Sequence, residues 1–158
     1  MASPLEPAGS PEGTRGSLWR RPTARPIAVA LGVLAALAVW GISELVLGVD
    51  VRQPAFGPGV PRDLTAGPVV VASLVAGLAA WLVLAVLERL TRHARAAWVA
   101  LATLVLAASL GAPLSGRGID EQSRLVLMLL HLTVGALLIV LLARTSQPAQ
   151  SATPRRDD

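Results

Sequence analysis

The sequence predicts an all-α membrane protein, a bundle of four transmembrane helices with both termini on the cytoplasmic side. Three observations predict it. Four long apolar runs follow one another along the chain, beginning with Ile27–Gly48, and none carries more than isolated polar residues. The 158 residues are 53% hydrophobic and only 15% charged, with a mean hydropathy of +0.60; a soluble domain carries roughly 25% charged residues. The 14 basic residues are all arginine and gather on alternate connections.

Residues 1–25 are rich in Pro, Gly and Ser, lack apolar periodicity and are expected to be a disordered tail. Trp19, Arg20, Arg21 and Arg25 form a basic, aromatic collar at its end. The first span, Ile27–Gly48, would extend about 33 Å as a helix, enough for a bilayer core of ~30 Å. Ala36-Leu37-Ala38 imitates a signal-peptide cleavage site. The apolar run continues past it, beyond a signal h-region of roughly 7–15 residues, so an uncleaved first helix is expected.

Pro54, Pro58 and Pro61 keep residues 49–66 from forming a long helix. The second span is expected over 67–87, with Pro68 in the first turn, where a missing N–H costs little. Glu88 precedes Arg92 by four residues, a favourable order for a salt bridge within the helix. The third span, 96–112, ends at Gly111 and Pro113. The fourth, 125–143, follows Asp120 and Glu121, whose charges suit a helix N-terminus. Residues 145–158 read as a second disordered cytoplasmic tail, which leaves 26–144 as one transmembrane domain.

Ten arginines fall on the two tails and the middle connection, and four (Arg52, Arg62, Arg117, Arg124) on the other side. The positive-inside rule then places both termini in the cytoplasm. The halves match neither in loop length nor in polar positions, which argues against an inverted-repeat transporter.

Cysteine is absent, so thiolate metal sites, iron–sulfur clusters and dithiol chemistry are excluded. Two histidines, His93 and His131, are too few to hold two haems by paired imidazoles. No metal constellation, nucleophile–base spacing or phosphate loop is present, so no enzyme, cofactor or metal is expected. The pI near 11.4 does not indicate nucleic acid, because the arginines flank membrane spans.

Glu44 lies inside the first span, about 7 Å from its outer end. Arg124 and His131, seven residues apart, share one side of the fourth helix, and helices one and four neighbour each other in an up-down bundle. Glu44 is therefore placed between Arg124 above and His131 below. One reading is a titratable or cation-binding cluster that opens outward; the plainer one is an interhelical clamp. Trp40, one turn below Glu44, and Trp81 read as bulk in the bundle, Trp19 and Trp98 as interfacial anchors. Small residues at Ala28/Gly32/Ala36, Ser73/Gly77 and Thr103/Ala107/Gly111 read as helix-packing positions within the chain. Arg20, Arg21, Arg89, Arg92 and Arg95 are candidate contacts for anionic lipids, against the simpler reading of a topology signal.

The stretches VASLVAGLAAWLVLAVLERLTRHARAAW (71–98), ASLGAPL (108–114) and MLLHLTVGALL (128–138), with the Trp–Glu first span, resemble the four-helix membrane proteins grouped as domain of unknown function 6069. The likeness covers about residues 26–143, and its most specific elements are LER and MxxH. The resemblance implies four transmembrane helices in a bacterial membrane and supplies no activity.

The functional expectation is a non-enzymatic, structural or accessory bundle in the plasma membrane. Its partners would be the lipid bilayer and either another membrane protein or a second copy. The alternative is a small proton-coupled transporter with Glu44 as the titratable group. Against the alternative stand the absence of tyrosine and a single phenylalanine, Phe56, in a loop.

Overall fold

The computed structural model describes residues 23–54, 60–116 and 118–146. The expectation of two disordered tails falls almost wholly outside these residues, as do Trp19, Arg20 and Arg21. At its inner edge the N-terminal tail was expected to reach Arg25, whereas the first helix already begins at Ala24.

Four helices are long and apolar enough to cross a membrane. The first is an α-helix, α1 (Ala24–Gly41), continued by a π-helix over Ile42–Val46. A pair of two-residue antiparallel strands follows, the hairpin β1 (Arg52–Gln53) and β2 (Arg62–Asp63), with Arg52 opposite Asp63. Next come α2 (Ala66–Leu90) and α3 (Ala94–Ser109), then the short α4 (Gly111–Ser115), which extends α3 into one span. The last is α5 (Glu121–Thr145). Helices are the natural solution here, because lipid offers no partner for a free backbone N–H or C=O.

The helices form a ring in which α1 packs on α2 and α5, and α3 packs on α2 and α5. One end of the ring, the turn end, carries the start of α1, the short Thr91–His93 link and the end of α5. The other, the loop end, carries the hairpin and the 110–120 connection. Two apolar clusters fill the interior. Ala28, Leu84, Trp98, Leu138 and Leu142 lie toward the turn end; Ala36, Val51, Leu64, Val69, Leu127 and Leu130 lie toward the loop end. Val134 packs against both.

Small residues set the closest approaches. A Cβ on Gly77 would come within 2.8 Å of Val29 Cγ1, so the Val29 side chain of α1 packs onto the bare backbone of α2. Ala28, Gly32 and Ala36 are buried as a face of α1. Thr103, Ala107 and Gly111 behave differently: all three are exposed, so this third set makes no packing seam within the bundle. The α3–α4 span is only 11% buried, against 33% for α5, so it stands at the periphery. Large apolar side chains such as Leu34, Leu82 and Leu104 are exposed, as expected where the solvent is lipid.

Candidate functional site

The loop end gathers most of the polar side chains that connect one element to another. At the end of α1, Leu47 N donates to Ile42 O at 3.0 Å, five residues back, and Val49 N to Ser43 O at 3.0 Å. Ser43 Oγ donates to Val39 O at 2.9 Å. Gly48, at φ +66°, then turns the chain out of the helix, a conformation that glycine adopts without steric cost. Glu44 sits inside this widened turn.

From there a chain of hydrogen bonds crosses to α5. Trp40 Nε1 donates to Leu64 O at 2.8 Å, so this indole anchors the loop rather than serving as bulk alone. Leu64 N donates to Val51 O at 2.7 Å. Arg52 N donates to Ser123 Oγ at 3.0 Å. Ser123, fully buried, has a single hydroxyl proton. Its short bond to Asp120 Oδ1, 2.6 Å, takes that proton, and Asp50 O at 3.3 Å is a secondary contact. Asp120 also caps α5 by accepting from Ser123 N at 3.1 Å. These bonds stabilise the carboxylate, first through the Ser123 hydroxyl and then through its backbone N–H, and hold the Asp120 carboxyl below its ordinary range.

Glu44 and Arg124 stand apart from this network. Glu44 Oε2 and Arg124 Nε are both buried without a hydrogen-bond partner. His131 uses Nδ1 on its own helix, 2.7 Å from Leu127 O. Because a carbonyl only accepts, Nδ1 carries the hydrogen there. Gly32 faces Leu138 across the antiparallel α1–α5 contact. Continuing that register puts Glu44 level with about Val126, close to the depth of Arg124, and His131 about 7 Å deeper. Among the described residues, no hydrogen bond or ion pair joins Glu44 to either one.

The turn end holds a different constellation. Arg25 Nη2 donates to Glu88 Oε1 at 2.6 Å and to Oε2 at 2.7 Å, joining the start of α1 to the end of α2. Each side chain is about one-fifth exposed, 20% and 21%. The expected Glu88–Arg92 pair is therefore replaced by one between helices. Arg89, Arg92 and Arg95 are all exposed. Trp98 is likewise not an interfacial anchor: it is buried, 4% exposed, and its Nε1 donates to Ile139 O on α5 at 3.3 Å.

Residues 15–148 match the model of a family of unknown function, DUF6069. The chain belongs to this family. Comparison with curated proteins and with solved structures gave no significant match. In this DUF6069 bundle, the sequence did not single out Ser123 and marked Arg25 only as part of the basic collar, not as a link between helices. Ser123 carried a faint signal, three residues after Asp120 at a helix start. The pairing of Arg25 carried none, since its partner lies 63 residues away.

Proposed function

We propose that this DUF6069 protein is a non-enzymatic, multi-pass bundle of the plasma membrane, structural or accessory to another component, with both termini cytoplasmic. The observation that carries the reading is the use made of its polar side chains. Arg25, Glu88, Trp40, Trp98, Asp120 and Ser123 all end on backbone or on each other, and each bond ties one element to another or caps a helix. Side chains engaged in this way hold a shape and are not free to turn over a substrate. The orientation rests on the arginine distribution, with ten on the tail and turn side and four on the loop side. Cysteines introduced at the exposed positions His93 and Ser115 test it: an impermeant thiol reagent on intact cells should label only Ser115→Cys. Labelling of His93→Cys alone would invert the assignment.

A second reading is favoured by one specific observation. Glu44 Oε2 and Arg124 Nε are buried and unpartnered, and Glu44 lies in a π-helix, a local geometry frequent at functional sites. On this reading Glu44 takes up and releases a proton in a small coupled transporter. One experiment separates the two. The protein and its Glu44→Gln variant are reconstituted in vesicles loaded with a pH-sensitive dye, and a pH gradient is imposed. The accessory reading expects the same slow leak from both. A proton flux in the natural protein that disappears in Glu44→Gln would replace it with the transporter.

A further inference from the structure

Capture of Glu88 by Arg25 leaves an unbalanced charge at one corner of the bundle. Arg89, Arg92 and Arg95 lie around the short α2–α3 link and are all exposed. The carboxylate next to them in sequence, Glu88, is held through both oxygens by Arg25. Pairing of Glu88 with Arg92 along its own helix would instead have engaged one of these three arginines, and Arg25 takes that place.

The link is closed by local bonds. Thr91 N donates to Leu87 O at 2.9 Å, Thr91 Oγ1 accepts from His93 N at 3.1 Å, and Ala97 N donates to His93 O at 3.1 Å. The three arginine stems therefore leave a defined stretch of backbone. Their electrostatic settings differ. Arg89, in the last turn of α2, is stabilised by the helix dipole. Arg95 stands in the first turn of α3, which has no acidic residue and no side-chain cap. There the dipole opposes a cation and favours an anion close by.

An apolar ridge starts at the same corner. Leu90, Val86 and Leu82 are 76%, 44% and 66% exposed and follow one another at four-residue steps along α2. On a helix such residues lie one above another, here over about 12 Å. Charge at the top with an apolar track below matches an amphiphile. A free phosphate or a soluble acidic protein would satisfy the arginines and leave the track uncovered.

We propose that the α2–α3 corner binds an anionic phospholipid, with its phosphate at Arg89, Arg92 and Arg95 and an acyl chain along Leu90, Val86 and Leu82. The site requires a bilayer and is independent of whether the bundle is accessory or transports protons.

The test uses the full chain purified in mild detergent, with lipid binding read by native mass spectrometry. The probes are dioleoylphosphatidylglycerol, dioleoylphosphatidylcholine and inorganic phosphate. Phosphatidylglycerol should bind at least about tenfold more tightly than phosphatidylcholine, and the preference should shrink as sodium chloride rises from about 0.05 to 0.5 M. Arg89→Gln, Arg92→Gln and Arg95→Gln should each weaken phosphatidylglycerol binding by about fivefold, while Arg62→Gln, at the loop end, leaves it unchanged. The triple Arg→Lys variant keeps the charge that guides insertion and should retain the lipid preference. Equal affinity for the two lipids would overturn the proposal, as would a loss in Arg62→Gln matching that at the corner. Displacement of the lipid by millimolar phosphate would make the corner a soluble-anion site and overturn it equally.

Discussion

The two ends of the bundle are held together by different means. At the turn end a mostly buried ion pair, Arg25 to Glu88, joins α1 to α2. At the loop end the connections run mainly through backbone groups, from Trp40 through Leu64 and Val51 and from Arg52 through Ser123 to the Asp120 carboxylate, and the ion pair there, Arg52 to Asp63 at 3.4 Å, lies in solvent-exposed side chains. The amount of irregular backbone accounts for the difference. Every residue outside a helix brings a C=O and, unless it is proline, an N–H that need partners, and lipid supplies none. The turn end links α2 to α3 through only three residues, Thr91–His93, and needs few such bonds. The loop end must settle the hairpin and the 110–120 connection, and its side chains are directed to backbone groups. It is also the end where two buried polar atoms, Glu44 Oε2 and Arg124 Nε, have no partner.

The contrast can be broken most directly at the turn end. Glu88→Gln should cost about 2–3 kcal/mol in equilibrium unfolding in mixed micelles, because it removes one member of a mostly buried charged pair. A double-mutant cycle with Arg25→Gln should return a coupling above about 0.5 kcal/mol. Additive effects would mean that the ion pair does not hold the end. Ser123→Ala comes next, at about 1–2 kcal/mol, since it leaves Arg52 N and one Asp120 oxygen without their hydroxyl partner. Its effect should be local: hydrogen exchange should rise around residues 50–53 and leave residues 87–97 unchanged. A rise at both ends would erase the distinction drawn above. Trp40→Phe, which removes one bond to Leu64 O, should cost about 1 kcal/mol.

The smallest effect concerns pH. The Asp120 carboxyl is held below its ordinary value in the folded chain. A depressed folded-state pKa adds stability above the unfolded value, near 3.9, and that stability is lost as pH falls through the folded one. Thermal melting from about pH 5 to pH 3 should therefore decline more steeply for the natural protein than for Asp120→Asn. Parallel curves would remove the carboxylate from the loop-end network.

Much of this architecture was legible in the sequence. Long apolar runs determine four helices because the length of a span is set by the bilayer, and short connections determine which helices are neighbours. The pairing of α1 with α5 followed from that order alone. The contacts that join the elements were less legible. An arginine side chain reaches far enough to choose among several carboxylates, so the sequence favoured Arg92 for Glu88 through local spacing, while packing brings Arg25 within reach. Trp98 looked interfacial because it lies close to a basic turn, yet it turns inward and finds Ile139 O. Small residues at four-residue spacing allow close approach without requiring it, which is why Gly77 is buried and Gly111 exposed. For Glu44, a depth and two cationic candidates on α5 could be read from the sequence. The π-helix could not, because its residues have the same local preferences as those of an α-helix.

That π-helix has a consequence for the angular phase of the first span. A π turn encloses one residue more than an α turn, so the side chains beyond it are rotated by about 100° from where an uninterrupted helix would put them. A helical wheel drawn straight through Ala24–Val46 would assign Leu45 and Val46 to the wrong faces. A substitution scan along the span should show a regular beat of tolerant and intolerant positions up to Gly41 and then slip by one residue. Deleting Leu45, which is 79% exposed, would take up that slack and return the turn to ordinary α spacing. The carboxylate of Glu44 could then keep its depth only by taking a new direction.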